Sequence, residues 1–163
     1  GFKAFIENDV NAYKYLTALG DENRCGMIGY ILENTFLGRG AVARGICDIH
    51  DGKLERIIET KNIIFDGITA SAGDKIIPSD SVVSMNFWMF PKTFTDTLGE
   101  LFIHFREELS SPLTEEFLLP TIVDGLIKAG KYVCDPIVTD ARCFGVTRRE
   151  DTKIVADALA QLV

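Results

Sequence analysis

The chain has 163 residues, of which 47% are hydrophobic and 25% are charged, and its formal net charge at pH 7 is −7. Such a chain has enough apolar sequence for one domain with its own core, which excludes an intrinsically disordered or collagen-like protein. The negative charge argues against a protein that binds nucleic acid or an anionic membrane, and no apolar run reaches the roughly 18–20 residues of a membrane span.

The first part of the chain predicts one helix followed by two strands. Apolar residues recur at steps of three and four between Phe2 and Leu16, and Gly20 ends the predicted helix. Strands are predicted at Met27–Leu32 and Ala41–Ile49. Because no strand precedes the helix, we expect an upstream part of an α/β sheet.

A β-hairpin is the clearest local prediction. The pair Asp51-Gly52 follows the second strand, and polar and apolar residues alternate over Lys53–Glu59. An Asp-Gly pair between two alternating runs favours a tight turn. The next stretch, Asn62–Asp80, contains glycines and small residues, and we predict a long loop there with one short strand.

The second half of the chain alternates strands and helices. Ser81–Phe90 is apolar on both faces, which is typical of a central buried strand. Pro91 is predicted to open a helix that runs to Leu109. A further helical segment, Thr114–Ala129, is predicted to break or restart at Pro120.

The chain is predicted to finish with a strand and a helix. Gly130 stops the preceding helix, and Tyr132–Val138 is the predicted strand. Thr147 and Glu150 form a capping box before a last helix that runs to Leu162. This order predicts an α/β protein with a mixed sheet flanked by helices.

The cysteines indicate a reducing compartment. They are scattered, without a C-x-x-C pair, at Cys25, Cys47, Cys134 and Cys143. This favours reduced and mostly buried thiols, and the N-terminal sequence lacks the features of a signal peptide, so we predict a cytoplasmic protein. A zinc site built from these cysteines with His50 and His104 is the alternative.

Four residues are candidates for binding. Gly45 interrupts an apolar strand, which indicates either a bulge or a place where a ligand or another backbone approaches. Glu59 and Lys61 could accept sugar hydroxyls and hold a phosphate, or could be solvated charges. Asn86 is the only amide in the predicted core strand, and a buried amide needs a partner in the backbone, in water or in a ligand. The sequence indicates no catalytic residue and no metal ligand.

Five segments, taken in order, resemble the bacterial nucleotidyltransferase-like branch of the sugar-phosphate nucleotidyltransferases. These segments are Gly26–Tyr30, Val42–Cys47, Val83–Phe90, Phe117–Asp124 and Phe144–Asp151. The resemblance covers nearly the whole chain. It implies a partial nucleotide-diphospho-sugar transferase fold, which is Rossmann-like.

The resemblance also implies a reaction. The intact protein would transfer a nucleotidyl group from a nucleoside triphosphate to a sugar 1-phosphate or a similar phosphorylated acceptor, with Mg²⁺, and release pyrophosphate. In the family, the triphosphate-binding loop and the metal-binding Asp lie upstream of the helix that opens this chain. Residues 1–163 would therefore be a single domain or the C-terminal, sugar-binding part of a larger one, inactive on its own.

The site residues of the family fall on the four candidates. Gly45 matches the glycine whose backbone approaches the sugar, and Glu59 matches the acid of a Glu-Lys pair that binds sugar hydroxyls. Lys61 would be the cation of that pair, one residue further along than in the family. Asn86 falls where the family chain passes the sugar. The resemblance thus implies that these four residues bind the acceptor.

Two alternatives to an enzyme stay open. Gly145 stands where thymidylyltransferase relatives carry a second metal-binding Asp, which favours a non-catalytic sugar-nucleotide-binding or regulatory relative. The aromatic residues Phe94, Phe102 and Phe105 could instead form the interface of a homo-oligomer, although they are more simply explained as core.

Overall fold

One mixed sheet organises residues 22–36, 40–143 and 151–160, the part of the chain that the computed structural model describes. Its strands are β1 (Arg24–Ile31), β2 (Val42–His50), β3 (Lys53–Phe65), β4 (Ala70–Ala72), β5 (Lys75–Ile77), β6 (Val82–Met89) and β7 (Val133–Thr139). They are hydrogen-bonded in the order β5-β4-β3-β2-β6-β1-β7, and β7 is parallel to β1 whereas the other pairs are antiparallel. The helices are a 3-10 turn (Leu32–Thr35), α1 (Phe94–Glu108), α2 (Leu119–Lys128) and α3 (Asp151–Ala160). The predicted class, α/β with a mixed sheet flanked by helices, is confirmed.

Strand β1 contributes to two apolar clusters because successive side chains of a strand point to opposite faces. Met27 packs in a cluster with Ile57 of β3 and Val123 of α2. The next residue, Ile28, packs in the other cluster with Val83 of β6. Both faces of β1 are therefore buried, and each fully buried side chain of this size stabilises the fold by roughly 1.5–3 kcal/mol.

The predicted hairpin is confirmed. The turn between β2 and β3 has Asp51 at φ 47° and Gly52 at φ 72°. Two consecutive left-handed residues give a turn whose twist matches that of the flanking strands.

The loop predicted for Asn62–Asp80 is wrong in extent. Strand β3 runs on to Phe65, and two short strands, β4 and β5, complete an antiparallel ribbon. The register shifts between Val42 and Arg44, and Asn62 has φ 58° at that irregularity. The bulge absorbs a polar residue, so the strand continues where the sequence pattern breaks.

The helix starts correct one proline prediction and confirm the other. Pro91 does not open α1: its carbonyl accepts the N–H of Phe94, at 3.0 Å, in a turn before the helix. The restart at Pro120 is confirmed, because α2 begins at Leu119 and carries the proline in its first turn, but the segment from residue 114 to 118 is not helical. Gly130, at φ 67°, follows α2 as predicted.

Several predictions concern other parts of the chain. The N-terminal helix, the capping box and Gly145 lie outside the described residues. In the ranges that are described, no helix is both long enough and apolar enough to cross a membrane.

A buried carboxylate ties distant strands together. Asp135 of β7 is 6% exposed and accepts hydrogen bonds from Arg24 Nε of β1, at 2.9 Å, and from Lys53 Nζ at the start of β3. Three strands separate β3 from β7 in the hydrogen-bonded order, so the sheet curves enough to bring Lys53 to Asp135. Burial on its own would raise the pKa of Asp135, but the hydrogen bonds from Lys53 and Arg24 outweigh it and hold the pKa below its ordinary value.

We expect Asp135→Asn to lower the free energy of unfolding at pH 7 by about 1–3 kcal/mol, because two cations lose their anion while water still screens them. Because the pKa of Asp135 is lower in the folded than in the unfolded protein, its ionised carboxylate stabilises the fold fully at pH values above about 3.9, the unfolded-state pKa. That stabilisation is lost as the pH falls through the folded-state pKa. The difference between variant and wild type should therefore narrow below about pH 4. Urea unfolding at pH 7 and pH 3 measures both effects, with Asp140→Asn, at an exposed position after β7, as the control. An equal loss at both pH values would contradict this account.

Candidate functional site

Two of the four candidates, Gly45 and Glu59, are paired directly in the middle of the sheet. Gly45 of β2 is the Cα partner of Glu59 on β3 and of Ser84 on β6. Lys61 lies two residues beyond Glu59, and Asn86 lies two residues beyond Ser84. One short row across β3, β2 and β6 thus carries the predicted carboxylate and glycine, and the cation and the amide lie two residues further along the two outer strands of the row, β3 and β6.

Glu59 is a partly buried carboxylate between two cations. Burial is the main reason that its pKa lies above the ordinary value. The charges of Lys61 and Arg44 act in the opposite direction, and Glu116 adds to the rise. An ionised carboxylate accepts hydrogen bonds only, so this group suits ligands that donate from hydroxyls.

Lys61 faces solvent beside another acid. Its ammonium lies 3.7 Å from Glu116 Oε2, in the segment before α2, and both side chains are well exposed. Exposed ion pairs of this kind contribute little stability. The lysine therefore remains available to an anionic ligand that competes with Glu116.

The prediction that Asn86 is a buried amide in a core strand is wrong. β6 is central, as predicted, between β2 and β1, but Asn86 is exposed and has φ 60°. The sequence could not show this, since its neighbours Met85 and Phe87 are apolar and pack against the core. The amide is directed to solvent by an irregularity of the strand.

The space at Gly45 is filled by the chain itself. A Cβ placed at Gly45 would come within 2.8 Å of Ile57 Cδ1 and 3.5 Å of Ser84 Cβ. The pairing of β2 with β3 is regular at Gly45, so the position is not a bulge, and the group that approaches it is the Ile57 side chain and not another backbone. Any ligand contact at Gly45 would have to be made through its backbone.

Sequence reasoning missed the role of Arg44 and Thr35. Arg44 donates from Nε to Thr35 Oγ1 at 3.1 Å, from Nη2 to the Thr35 carbonyl at 2.9 Å and from Nη1 to the Ala43 carbonyl at 2.8 Å. Burial lowers its pKa, and the negative charge of Glu59 opposes that change. The sequence did contain one indication of this role: Arg44 is a charged residue within an apolar strand, and a partly buried charge must find hydrogen-bond partners. It fixes the 3-10 turn to β2.

The other polar candidates do not converge. Three cysteines are buried and Cys143 is half-buried, all as free thiols, whereas His50 and His104 are exposed. Across residues 22–36, 40–143 and 151–160, no three His, Cys, Asp or Glu side chains are grouped so that they could hold a metal ion. Mg²⁺, for which the resemblance implies a binding Asp upstream of this chain, therefore finds no three-ligand site among these residues. The zinc alternative finds no support in the same ranges.

The three aromatic residues that could form an oligomer interface lie in different environments. Phe94 is buried and stacks on Phe90, with ring centroids 3.7 Å apart. Phe105 and Phe102 contact Phe117, and Phe102 is 45% exposed. Only the first of the three belongs to the core.

Comparison with protein-family models gives no match for this chain. A search of curated proteins also finds no significant match.

We expect Gly45→Ala to destabilise the protein by about 1–3 kcal/mol, because the added methyl group overpacks against Ile57. Ile57→Val removes the nearest atom, Cδ1, so the double variant should recover part of the loss. Chemical denaturation of the four proteins in this cycle measures the coupling, and Gly40→Ala, where an added Cβ meets nothing within 4 Å, is the control. Strict additivity of the two substitutions would contradict the packing explanation.

Proposed function

We propose that this chain carries the acceptor-binding site of a nucleotidyltransferase, which transfers a nucleotidyl group from a nucleoside triphosphate to a sugar 1-phosphate or a similar phosphorylated acceptor. The observation that supports this most is the row in which Gly45 pairs with both Glu59 and Ser84. The resemblance implied an acceptor site at Gly45, Glu59, Lys61 and Asn86, and these residues lie on three neighbouring strands. The nucleotide-diphospho-sugar transferase fold is part of the same proposal.

In the proposed reaction, an oxygen of the acceptor phosphate attacks the α-phosphorus of the triphosphate. A new oxygen–phosphorus bond forms, the bond from the α-phosphorus to its bridging oxygen breaks, and pyrophosphate leaves. The part assigned to this chain is to hold the acceptor, since positioning supplies much of the rate of such transfers.

Glu59 and Lys61 have complementary tasks in this proposal. The carboxylate of Glu59 accepts hydrogen bonds from acceptor hydroxyls, and the ammonium of Lys61 binds the acceptor phosphate as a point charge. The ion pair between Lys61 and Glu116 must open when the phosphate binds. Because that pair is exposed, opening it costs little.

The proposal predicts that Glu59→Gln weakens binding of glucose 1-phosphate roughly tenfold, because hydrogen bonds to a charged acceptor are lost. Lys61→Ala should weaken it about threefold, since water screens an exposed cation. Isothermal titration calorimetry measures both, with Glu55→Gln and Lys75→Ala, exposed residues on β3 and β5, as matched controls.

The pH dependence gives a second readout. Because the pKa of Glu59 is raised, its carboxylate is lost early as the pH falls, and wild-type binding should weaken over that range. Glu59→Gln should lose this part of the pH dependence and keep only the part that comes from the second ionisation of the acceptor phosphate, at about pH 6. Wild-type protein that binds neither glucose 1-phosphate nor another hexose 1-phosphate would overturn the proposal. Pyrophosphate release by the natural protein separates the enzyme from a non-catalytic sugar-nucleotide-binding relative.

A further inference from the structure

Strand β6 contains a wide bulge directly beside the candidate site. Ser84 pairs with Gly29 and Trp88 pairs with Met27, so three residues of β6, 85–87, lie opposite the single residue Ile28. The pairing of β6 with β2 also ends at Ser84, which faces Gly45. Bulges redirect side chains and are common next to functional sites.

Asn86 stands at the centre of this bulge in a left-handed conformation. Its φ is 60° and its side chain is exposed, although it lies within a central strand. The left-handed region is uncommon for residues other than glycine, and asparagine is one of those that enter it. Surrounding contacts must hold a residue in this conformation.

A buried hydroxyl supplies such a contact. Ser84 is 5% exposed, and its Oγ accepts the backbone N–H of Asn86 at 3.2 Å. Gly29 and Gly45 flank Ser84 on the two neighbouring strands, so no side chain of either partner covers that position from its own Cα. The hydroxyl is therefore held between two backbones and directed at the bulge.

We propose that Ser84 is a positioning residue, which holds the bulge in the conformation that presents the Asn86 amide beside the row of Gly45 and Glu59, and that this amide selects among acceptors by the orientation of a hydroxyl. The inference rests on the proposed function, because it names what sets the specificity of the same site. An amide held in one place bonds only to a hydroxyl within its reach, so it can discriminate between acceptors that differ in the orientation of one hydroxyl.

The test compares glucose, galactose and mannose 1-phosphates as probes, with inorganic phosphate as the reference for the charge alone. Wild-type protein should bind the three sugars with dissociation constants that differ by about three- to tenfold, the effect of one hydrogen bond. Asn86→Ala should reduce these differences to within about twofold while binding of inorganic phosphate stays unchanged. Ser71→Ala, which removes a hydroxyl from β4, is the control.

A double-substitution cycle shows whether Ser84 acts through Asn86. Ser84→Ala alone should lose the discrimination, whereas in the Asn86→Ala background it should change no dissociation constant further. Ser84→Thr keeps the hydroxyl and should keep the discrimination. The three-bond coupling between the amide and α protons of Asn86, measured by NMR, should change in Ser84→Ala and not in Ser84→Thr.

The outcomes separate the two proposals. Wild-type discrimination that survives Asn86→Ala, or an equal effect of Ser84→Ala in both backgrounds, overturns the positioning role and leaves the acceptor site standing. Failure of the wild type to bind any of the sugars overturns the acceptor site and the positioning role with it. If Ser84→Ala does not fold, Ser84→Cys, whose thiol is only a weak acceptor, takes its place in the same cycle with the same expected outcomes.

Discussion

A side chain at Gly29 would lie 2.5 Å from Val82 Cγ1, and a side chain at Gly45 would lie 2.8 Å from Ile57 Cδ1. Both glycines face Ser84, one from each side. Only glycine meets these contacts without displacing a buried neighbour, so the centre of the sheet admits little variation. The candidate site inherits this constraint, because Gly45 pairs with the strand of its carboxylate, β3, and with the strand of its amide, β6.

The first half of β3 is fixed at several points before the strand reaches Glu59. Lys53 bonds to the buried Asp135, and the Ile57 N–H donates to Asp124 Oδ1 of α2 at 2.9 Å. After Glu59, Lys61 and Asn62 are exposed before the strand is buried again at Ile63. The candidate carboxylate therefore stands where a rigid segment meets solvent, an arrangement that keeps a binding group in place without burying it.

The parts of the fold that depend on local chemistry could be predicted from the sequence. The turn at Asp51-Gly52 needs only two residues that tolerate left-handed backbone, and Gly130 ends a helix for the same reason. The full length of β3 could not be predicted, because a bulge at Asn62 interrupts the alternation on which the prediction depends. Local patterns do not reveal where a partner strand allows an extra residue.

The candidate site also has a part that the sequence could predict and a part that it could not. Residue types alone pointed to Glu59 and Lys61, and to Asn86 as a polar residue within an apolar run. The sequence assigned Asn86 to the interior, because strand alternation assumes an unbroken register. The contributions of Ser84 and Arg44 depend on residues from other elements, such as Thr35, and only the folded chain shows them.

The reaction of the buried cysteines of β1, β2 and β7 with a thiol reagent would report local opening of the sheet. Cys25, Cys47 and Cys134 pack in one apolar cluster. Burial raises the pKa of Cys47 to about 12, and a hydrogen bond with Cys25 followed by burial raises that of Cys134. A thiol reacts as its thiolate, so these groups are inert to alkylating reagents while the sheet is closed. Their labelling rates would time the separation of the central strands and of the edge strand β7, with the half-buried Cys143 as the internal reference for native-state reactivity.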